Sequence, residues 1–181
     1  MNLRLLTMVS LTRRGLTEGM AQIDGYLKTL TVIAAVGTGI SGGVFFAFST
    51  FVMKALGRLP AAQGLSAMHA INKTAPTLLF MLALFGTGAV SIAMSIAALR
   101  HLDQRWAAYL LAGTALYLVC VIVTVCYHVP RNDALALVSP TDPGAAHAWA
   151  GYLSSWTAWN HVRTVTALAG SALFILALRA T

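Results

Sequence analysis

Leu116-Tyr-Leu-Val-Cys-Val-Ile-Val-Thr-Val-Cys126 decides the fold. The stretch has no charge, and its polar residues do not fall on every second position. A strand of a membrane β-barrel alternates apolar and polar residues, because one face meets lipid and the other the lumen. An unbroken apolar run must satisfy its backbone groups within itself, and in lipid only a helix does so. Working outward, no Asp, Glu, Lys or Arg occurs between Arg105 and Arg131, between Lys73 and Arg100, or between Lys28 and Lys54. Each gap exceeds the ~20 residues a helix needs to cross ~30 Å of hydrocarbon. The gaps predict spans over residues 29–53, 75–99 and 106–127.

A fourth span is predicted near the C-terminus. Only residues 164–178 separate Arg163 from Arg179, which is short for a crossing. The helix is therefore expected to start near Trp156 and to carry Asn160, His161 and Arg163 in its first turns. The result is an all-α fold, a four-helix transmembrane bundle with a short interfacial helix in the third loop. Pro130 is expected to break the third span and hold Val129 extended. Asn132 and Asp133 then suit the cap of that short helix.

Composition agrees. The chain has 181 residues, of which 58% are hydrophobic and 9% charged. Soluble domains carry about 25% charged residues, so a water-soluble globule and a disordered chain are both excluded. Net charge is +7, from twelve Lys and Arg against five Asp and Glu. The basic residues stand singly between apolar stretches, whereas nucleic-acid readers gather them on one face. They suit membrane flanks and anionic headgroups, and no nucleic-acid partner is expected. The tally of Lys and Arg leans toward cytoplasmic termini in a plasma (inner) membrane. Residues 1–20 read as a poorly ordered or interfacial extension and 21–181 as the membrane domain. The first ten residues lack the sustained apolar core and cleavage site of a signal peptide.

Small residues recur in the first span. Gly39, Gly43 and Ala47 lie four apart, a spacing that lets helix backbones approach closely. It predicts tight packing within the bundle or a homo-oligomer through this face. Cys120 and Cys126 lie on different faces of one helix and read as small apolar fillers.

In a four-span protein the first and third loops share a side, and the unusual polar and aromatic residues concentrate there. His69 and Asn72 fall three apart before the second span. His128 and Asn132 lie at the exit of the third. Tyr152, Trp156, Trp159, Asn160 and Arg163 form a helical stripe, with His161 pointing away from most of it. Interfacial aromatic belts account for Trp and Tyr on their own. A guanidinium and an amide facing lipid would be costly, so such groups face an interior or a cavity. Together they could form an amphipathic pocket, with indoles to stack a planar molecule and Arg163 to hold an oxyanion. A metal is the other use of three histidines, but His69, His128 and His161 have no local ligand spacing. No acidic residue lies in an expected span, so neither a metal nor a haem cofactor is called for.

Four segments in order carry a resemblance. They are Gly43-Val-Phe-Phe-Ala-Phe-Ser-Thr-Phe-Val-Met53, Ala67-Met-His-Ala-Ile-Asn72, His128-Val-Pro-Arg-Asn132 and Trp156-Thr-Ala-Trp-Asn-His-Val-Arg-Thr164. From about residue 21 onward the chain resembles the DUF1772, anthrone oxygenase-like family of integral membrane proteins. The resemblance implies a four-span fold and oxidation of an anthrone to an anthraquinone by dioxygen, an oxidoreductase activity of the anthrone oxygenase-like monooxygenase kind. His69 and His128 stand where Gln and Asn are frequent in the family, which shifts weight to the intact motif around Asn160, His161 and Arg163. On this basis His161 is the expected base, and Arg163 with Asn160 holds the enolate oxygen. Trp156 and Trp159 stack the rings, and Tyr152, Asn72, His69, His128 and Asn132 complete the substrate site. The competing reading is a non-catalytic four-helix module that binds a partner helix or a lipophilic small molecule, its polar cluster serving only to lock the loops.

Overall fold

The computed structural model describes the backbone of residues 3–180 and the side chains of residues 25–180. The expectation for residues 1–20 lies outside the residues described in full. All regular structure among the described residues is helical. The elements are α1 (Leu3–Ala47), α2 (Met53–Gly57), α3 (Ala61–Thr74), α4 (Leu78–Met81), α5 (Thr87–Ala98), α6 (Arg105–Val123), α7 (Val129–Ala136) and α8 (Ala145–Ala180). Three π turns join them into longer rods: Phe48–Val52 joins α1 to α2, Leu82–Gly86 joins α4 to α5, and Thr124–His128 joins α6 to α7. Four rods are long and apolar enough to cross a membrane, Gly25–Gly57, Leu78–Ala98, Arg105–Ala136 and Ala145–Ala180. They are called the first to fourth spans below.

Their outward faces identify the solvent. Val36, Ile40, Phe46, Ile96, Ile122 and Val165 are all exposed. Apolar patches spread around the molecule in this way are untenable in water and are expected of helices bathed in lipid. The chain is an integral membrane protein.

Two sequence expectations need correction. The fourth helix starts at Ala145, just past Pro143-Gly144, rather than near Trp156. At 1.5 Å per residue it is ~54 Å long, far more than ~30 Å of hydrocarbon. Its added turns bury Trp149, Tyr152 and Trp156 against Met53, Leu56, Leu65, Met68 and Leu135. That cluster joins the loop-one helix α3 to the end of the third span, and its burial is what extends the helix. Arg163 consequently lies near the middle of α8 rather than in its first turns.

Pro130 does not break the third span. It occupies the first turn of α7, where a missing N–H costs nothing. The preceding turn is widened, so that the Val129 N–H bonds the Thr124 carbonyl five residues back. Asn132 therefore lies inside a helix and caps nothing. Second-span initiation follows simpler rules. Pro76 precedes Thr77, whose hydroxyl accepts the Phe80 N–H at 3.3 Å, a side-chain N-cap.

Close packing of the first span falls on glycines next to the expected pair. Gly43 has open space where a Cβ would stand, and Gly39 meets only the Ser171 hydroxyl at 3.4 Å, but an added Cβ at Gly37 would run into the Thr87 side chain and one at Gly42 would stand 2.7 Å from Leu168. Backbone also approaches backbone at Gly113 and Gly170, whose added Cβ atoms would lie 3.2 and 3.1 Å from each other's carbonyl oxygen. Nearby, the Tyr117 hydroxyl donates to the Leu84 carbonyl at 3.0 Å and pairs with Ser41 at 3.1 Å. It ties three spans together at the π turn of the second, where the displaced ladder leaves carbonyls in need of donors. Cys120 is buried and Cys126 exposed, both as free thiols.

Candidate functional site

The three π turns converge on one cavity. It has a volume of about 190 Å³. Phe48 comes from the first turn, Leu84 and Phe85 from the second, Thr124 and His128 from the third. Widened turns within α-helices concentrate at functional sites, since they turn side chains and backbone groups out of the regular ladder. The rest of the wall includes Val44 and Phe45 from the first span, Met68 and Asn72 from α3, Phe80 from α4, Val129 and Asn132 from α7, and Trp156 and Arg163 from α8. The loops therefore meet as expected from topology. Toward lipid the wall is thin. Val44, Phe85 and Val129 are 36–45% exposed, and α4 buries none of its residues.

Arg163 is the only buried charge among the described residues, at 5% exposure. Its Nη2 donates to the Asn160 Oδ1 at 2.7 Å and its Nη1 to the Thr124 hydroxyl at 3.4 Å. The guanidinium carbon lies 4.1 Å from the Phe45 ring centre and 5.1 Å from that of Trp156. Among the described residues no carboxylate pairs with it. Nε is buried and has no hydrogen-bond partner. A charge withdrawn from water is normally paired. Here aromatic faces and neutral oxygens replace the partner, and one donor is left unfilled.

Asn160 holds that guanidinium in place. Its Nδ2 donates to the Phe45 carbonyl and to the Ser49 hydroxyl, each at 2.8 Å. Ser49 in turn pairs with Thr164 at 2.9 Å. The amide thus locks the fourth span to the first and aims Arg163. Both of its N–H donors are used, and Oδ1 already accepts from Arg163.

Asn132 organises the outer end. Its Oδ1 accepts both the Tyr152 hydroxyl at 2.8 Å and the Trp156 Nε1 at 3.0 Å. This fixes two of the stripe aromatics by one acceptor on another helix. His128 is buried, its ring edge-on to Trp156 with centres 4.9 Å apart. Its Nδ1 lies 3.3 Å from the Val123 carbonyl and its Nε2 3.3 Å from the Trp156 carbonyl. His69 sits outside the cavity wall, bonded through Nε2 to the Leu135 carbonyl at 2.9 Å. It staples α3 to α7.

Two expected members stand apart. His161 is exposed on the other side of α8, where it borders a shallow hollow with Lys54. Trp159 is 44% exposed and stacks on Tyr127, ring centres 4.9 Å apart. Both follow from helical pitch, because the buried face repeats through Trp149, Tyr152, Trp156, Asn160 and Arg163. Phe45, Phe48, Ser49 and Thr124 were not singled out by sequence. The one available signal was the need for something to accompany a buried guanidinium.

No group of three or more His, Cys, Asp or Glu side chains converges among the described residues. The family model described as anthrone oxygenase matches residues 67–173. The chain belongs to the anthrone oxygenase family. The match runs from α3 through most of α8 and so covers Asn72, His128, Asn132, Trp156, Asn160 and Arg163. Phe45 and Ser49 lie before it. Neither a curated protein nor a solved structure matches the chain. Family membership makes this a membrane protein of an oxygenase-like family.

Proposed function

We propose that this protein oxidises a planar phenolic, anthrone-like substrate with dioxygen inside the cavity between the three π turns. A single observation carries the proposal: a buried guanidinium, with no carboxylate partner among the described residues, lines an apolar cavity walled by aromatic rings, with its Nε unfilled. An anthrone carries an acidic C–H opposite its carbonyl. Removing that proton puts negative charge on the carbonyl oxygen, where Arg163 is placed to hold it. A preorganised donor in a dry site favours charge that develops during reaction far more than the neutral ground state.

His128 takes the role of base. A neutral imidazole has one N–H and satisfies one of the two carbonyls beside its nitrogens. Besides Arg163 it is the one titratable side chain lining the cavity, and turning the ring away from one of those carbonyls would present a nitrogen lone pair to the substrate's C–H. The carbanion then adds dioxygen at the deprotonated carbon. The resulting peroxide anion takes up a proton. Loss of the second hydrogen of that carbon, with departure of hydroxide, leaves a new carbonyl and one water. One dioxygen is consumed for each anthraquinone and water formed, and the electrons come from the substrate alone. Trp156 and Phe48, in contact with each other with ring centres 5.6 Å apart, form one aromatic wall against the planar rings, and Asn160 acts as a positioning residue.

The test is oxygen uptake by purified protein in detergent with anthrone. Stimulated uptake with anthraquinone as product supports the proposal, and uptake no faster than in protein-free detergent sinks it. The non-catalytic alternative draws on Asn160, whose bonds are all structural. It predicts saturable anthraquinone binding without turnover.

A further inference from the structure

A second hollow lies away from the cavity, on the other side of α8. It is an open groove of about 530 Å³ between the end of the first span and the fourth, lined in part by Met53 and Lys54 of α2 and by Leu153, Ser154, Ala158 and His161 of α8. Lys54, Ser154 and His161 are exposed, and among the described residues none of the three has a hydrogen-bond or ion-pair partner. Each can donate: an ammonium, a hydroxyl, and at least one imidazole N–H in either tautomer. No Asp or Glu lines the groove. Lys54 closes the charge-free stretch that begins after Lys28, and a lysine at the end of a span stands at the level of the headgroups. Toward the bilayer centre the groove gives way to an apolar strip. Ser154, Ala158, His161, Val165 and Leu168 succeed one another at intervals of three or four and share one face of α8. Val165 is 65% exposed, and Leu168 lies against the first span at Gly42, where an added Cβ would stand 2.7 Å from its side chain. The strip leads from the three donors directly into the hydrocarbon.

We infer that this groove binds one anionic phospholipid, its phosphate held by Lys54, Ser154 and His161 and an acyl chain laid along Val165 and Leu168. Such a site is independent of the reaction proposed above. Two features select the ligand. A soluble anion would meet the three donors but leave the apolar strip that continues from them unused, so the occupant is a lipid. A headgroup with its own cation, choline or ethanolamine, finds no carboxylate in the groove. A phosphatidylglycerol brings a single uncompensated negative charge to Lys54, the kind of attraction that juxtamembrane cations exert on anionic headgroups.

The experiment titrates the full chain, purified in a nonionic detergent, with dioleoylphosphatidylglycerol or dioleoylphosphatidylcholine and counts bound lipid by native mass spectrometry. The wild type should retain one phosphatidylglycerol about fivefold more tightly than phosphatidylcholine, the scale of one basic side chain at a lipid surface. Lys54→Gln should bring that ratio close to one. Lys73→Gln, exposed at the end of α3 on the same side of the membrane and outside the groove, should leave it unchanged. Ala158→Phe fills the groove without altering charge and should weaken both lipids. Equal affinities in the wild type, or equal effects of the two lysine variants, overturn the inference and reduce the contact to general attraction by basic flanks. Wild-type affinity retained in Ala158→Phe overturns it as well. Displacement of phosphatidylglycerol by an equimolar amount of sodium phosphate would make the groove a site for the free anion and sink the lipid assignment. Should Ala158→Phe not fold, Ala150→Phe, in the same groove, carries the same comparison.

Discussion

Arg163 places its guanidinium carbon 4.1 Å from the centre of the Phe45 ring and its Nη2 2.7 Å from the Asn160 amide oxygen, with no carboxylate beside it among the described residues. A cation over an aromatic face gains about 2 kcal/mol when desolvated, much less than the cost of burying it unpaired. The residue is therefore poorly explained by stability. Arg163→Met should leave the melting temperature in detergent within a few degrees of wild type, since an apolar side chain of similar length removes the buried charge. The Asn160 Oδ1 left behind costs about 1–3 kcal/mol and sets the size of any loss. Oxygen uptake with anthrone should fall about 100-fold or more, as when an oxyanion donor is removed. A large fall in melting temperature with proportionate loss of activity would instead assign Arg163 to packing.

The histidines separate the two possible bases. His161→Ala should leave both melting temperature and oxygen uptake near wild type, because the ring is exposed and borders a different hollow from the cavity. His128→Gln keeps polar atoms near the carbonyls of Val123 and Trp156 but cannot take up a proton. It should reduce turnover by about 10²–10⁴-fold, the range for general-base removal, with anthraquinone binding retained. The opposite ranking of the two variants would restore the base role to His161.

Much of this arrangement was readable from the chain. Charge gaps located the spans, because lipid excludes charge over a fixed thickness. Topology brought the first and third loops together, and the helical period placed Tyr152, Trp156, Asn160 and Arg163 on one face. What escaped depends on contacts between distant segments. The length of α8 comes from burial of Trp149 and Tyr152 against α3 and α7, which no local pattern of residues 145–155 reveals. The three π turns have no sequence signature of their own. Pro130 marked one of them, yet local rules read it as a helix end rather than as the first turn of a continuing rod. His161 was drawn in by motif and dropped by pitch, since adjacent residues on a helix point ~100° apart.

Asn132 serves two donors with one oxygen. Asn132→Leu leaves the Tyr152 hydroxyl and the Trp156 indole N–H unsatisfied together, at a cost of about 1–3 kcal/mol for each buried group. Removing one of those donors as well should recover part of the loss. Tyr152→Phe in the Asn132→Leu background is therefore expected to be less harmful than in the wild type, a coupling of about 1 kcal/mol in a double-mutant cycle. Denaturation in mixed micelles measures all four proteins. Strict additivity would mean that the two residues do not share the bond seen at 2.8 Å.

Gly43 and Gly170 should respond to the same substitution with opposite signs. Alanine is favoured over glycine in a helix by about 1 kcal/mol. At Gly43 the added methyl meets nothing within 4 Å, so Gly43→Ala should keep that gain and melt at or above wild type. At Gly170 the methyl would stand 3.1 Å from the Gly113 carbonyl oxygen. That atom belongs to the backbone of α6 and cannot step aside without moving the helix. Overpacking costs about 1–3 kcal/mol, which outweighs the propensity gain, and Gly170→Ala should melt below wild type. Gly170→Val should be worse still, since it adds bulk to the same contact and β-branching to the helix. Because the Gly113–Gly170 crossing lies beside Tyr117 and Phe174, away from the residues that wall the cavity, anthraquinone affinity should be unchanged in whatever fraction of Gly170→Ala remains folded. A loss of affinity without loss of stability would show that the α6–α8 crossing sets the shape of the cavity and not only the strength of the bundle.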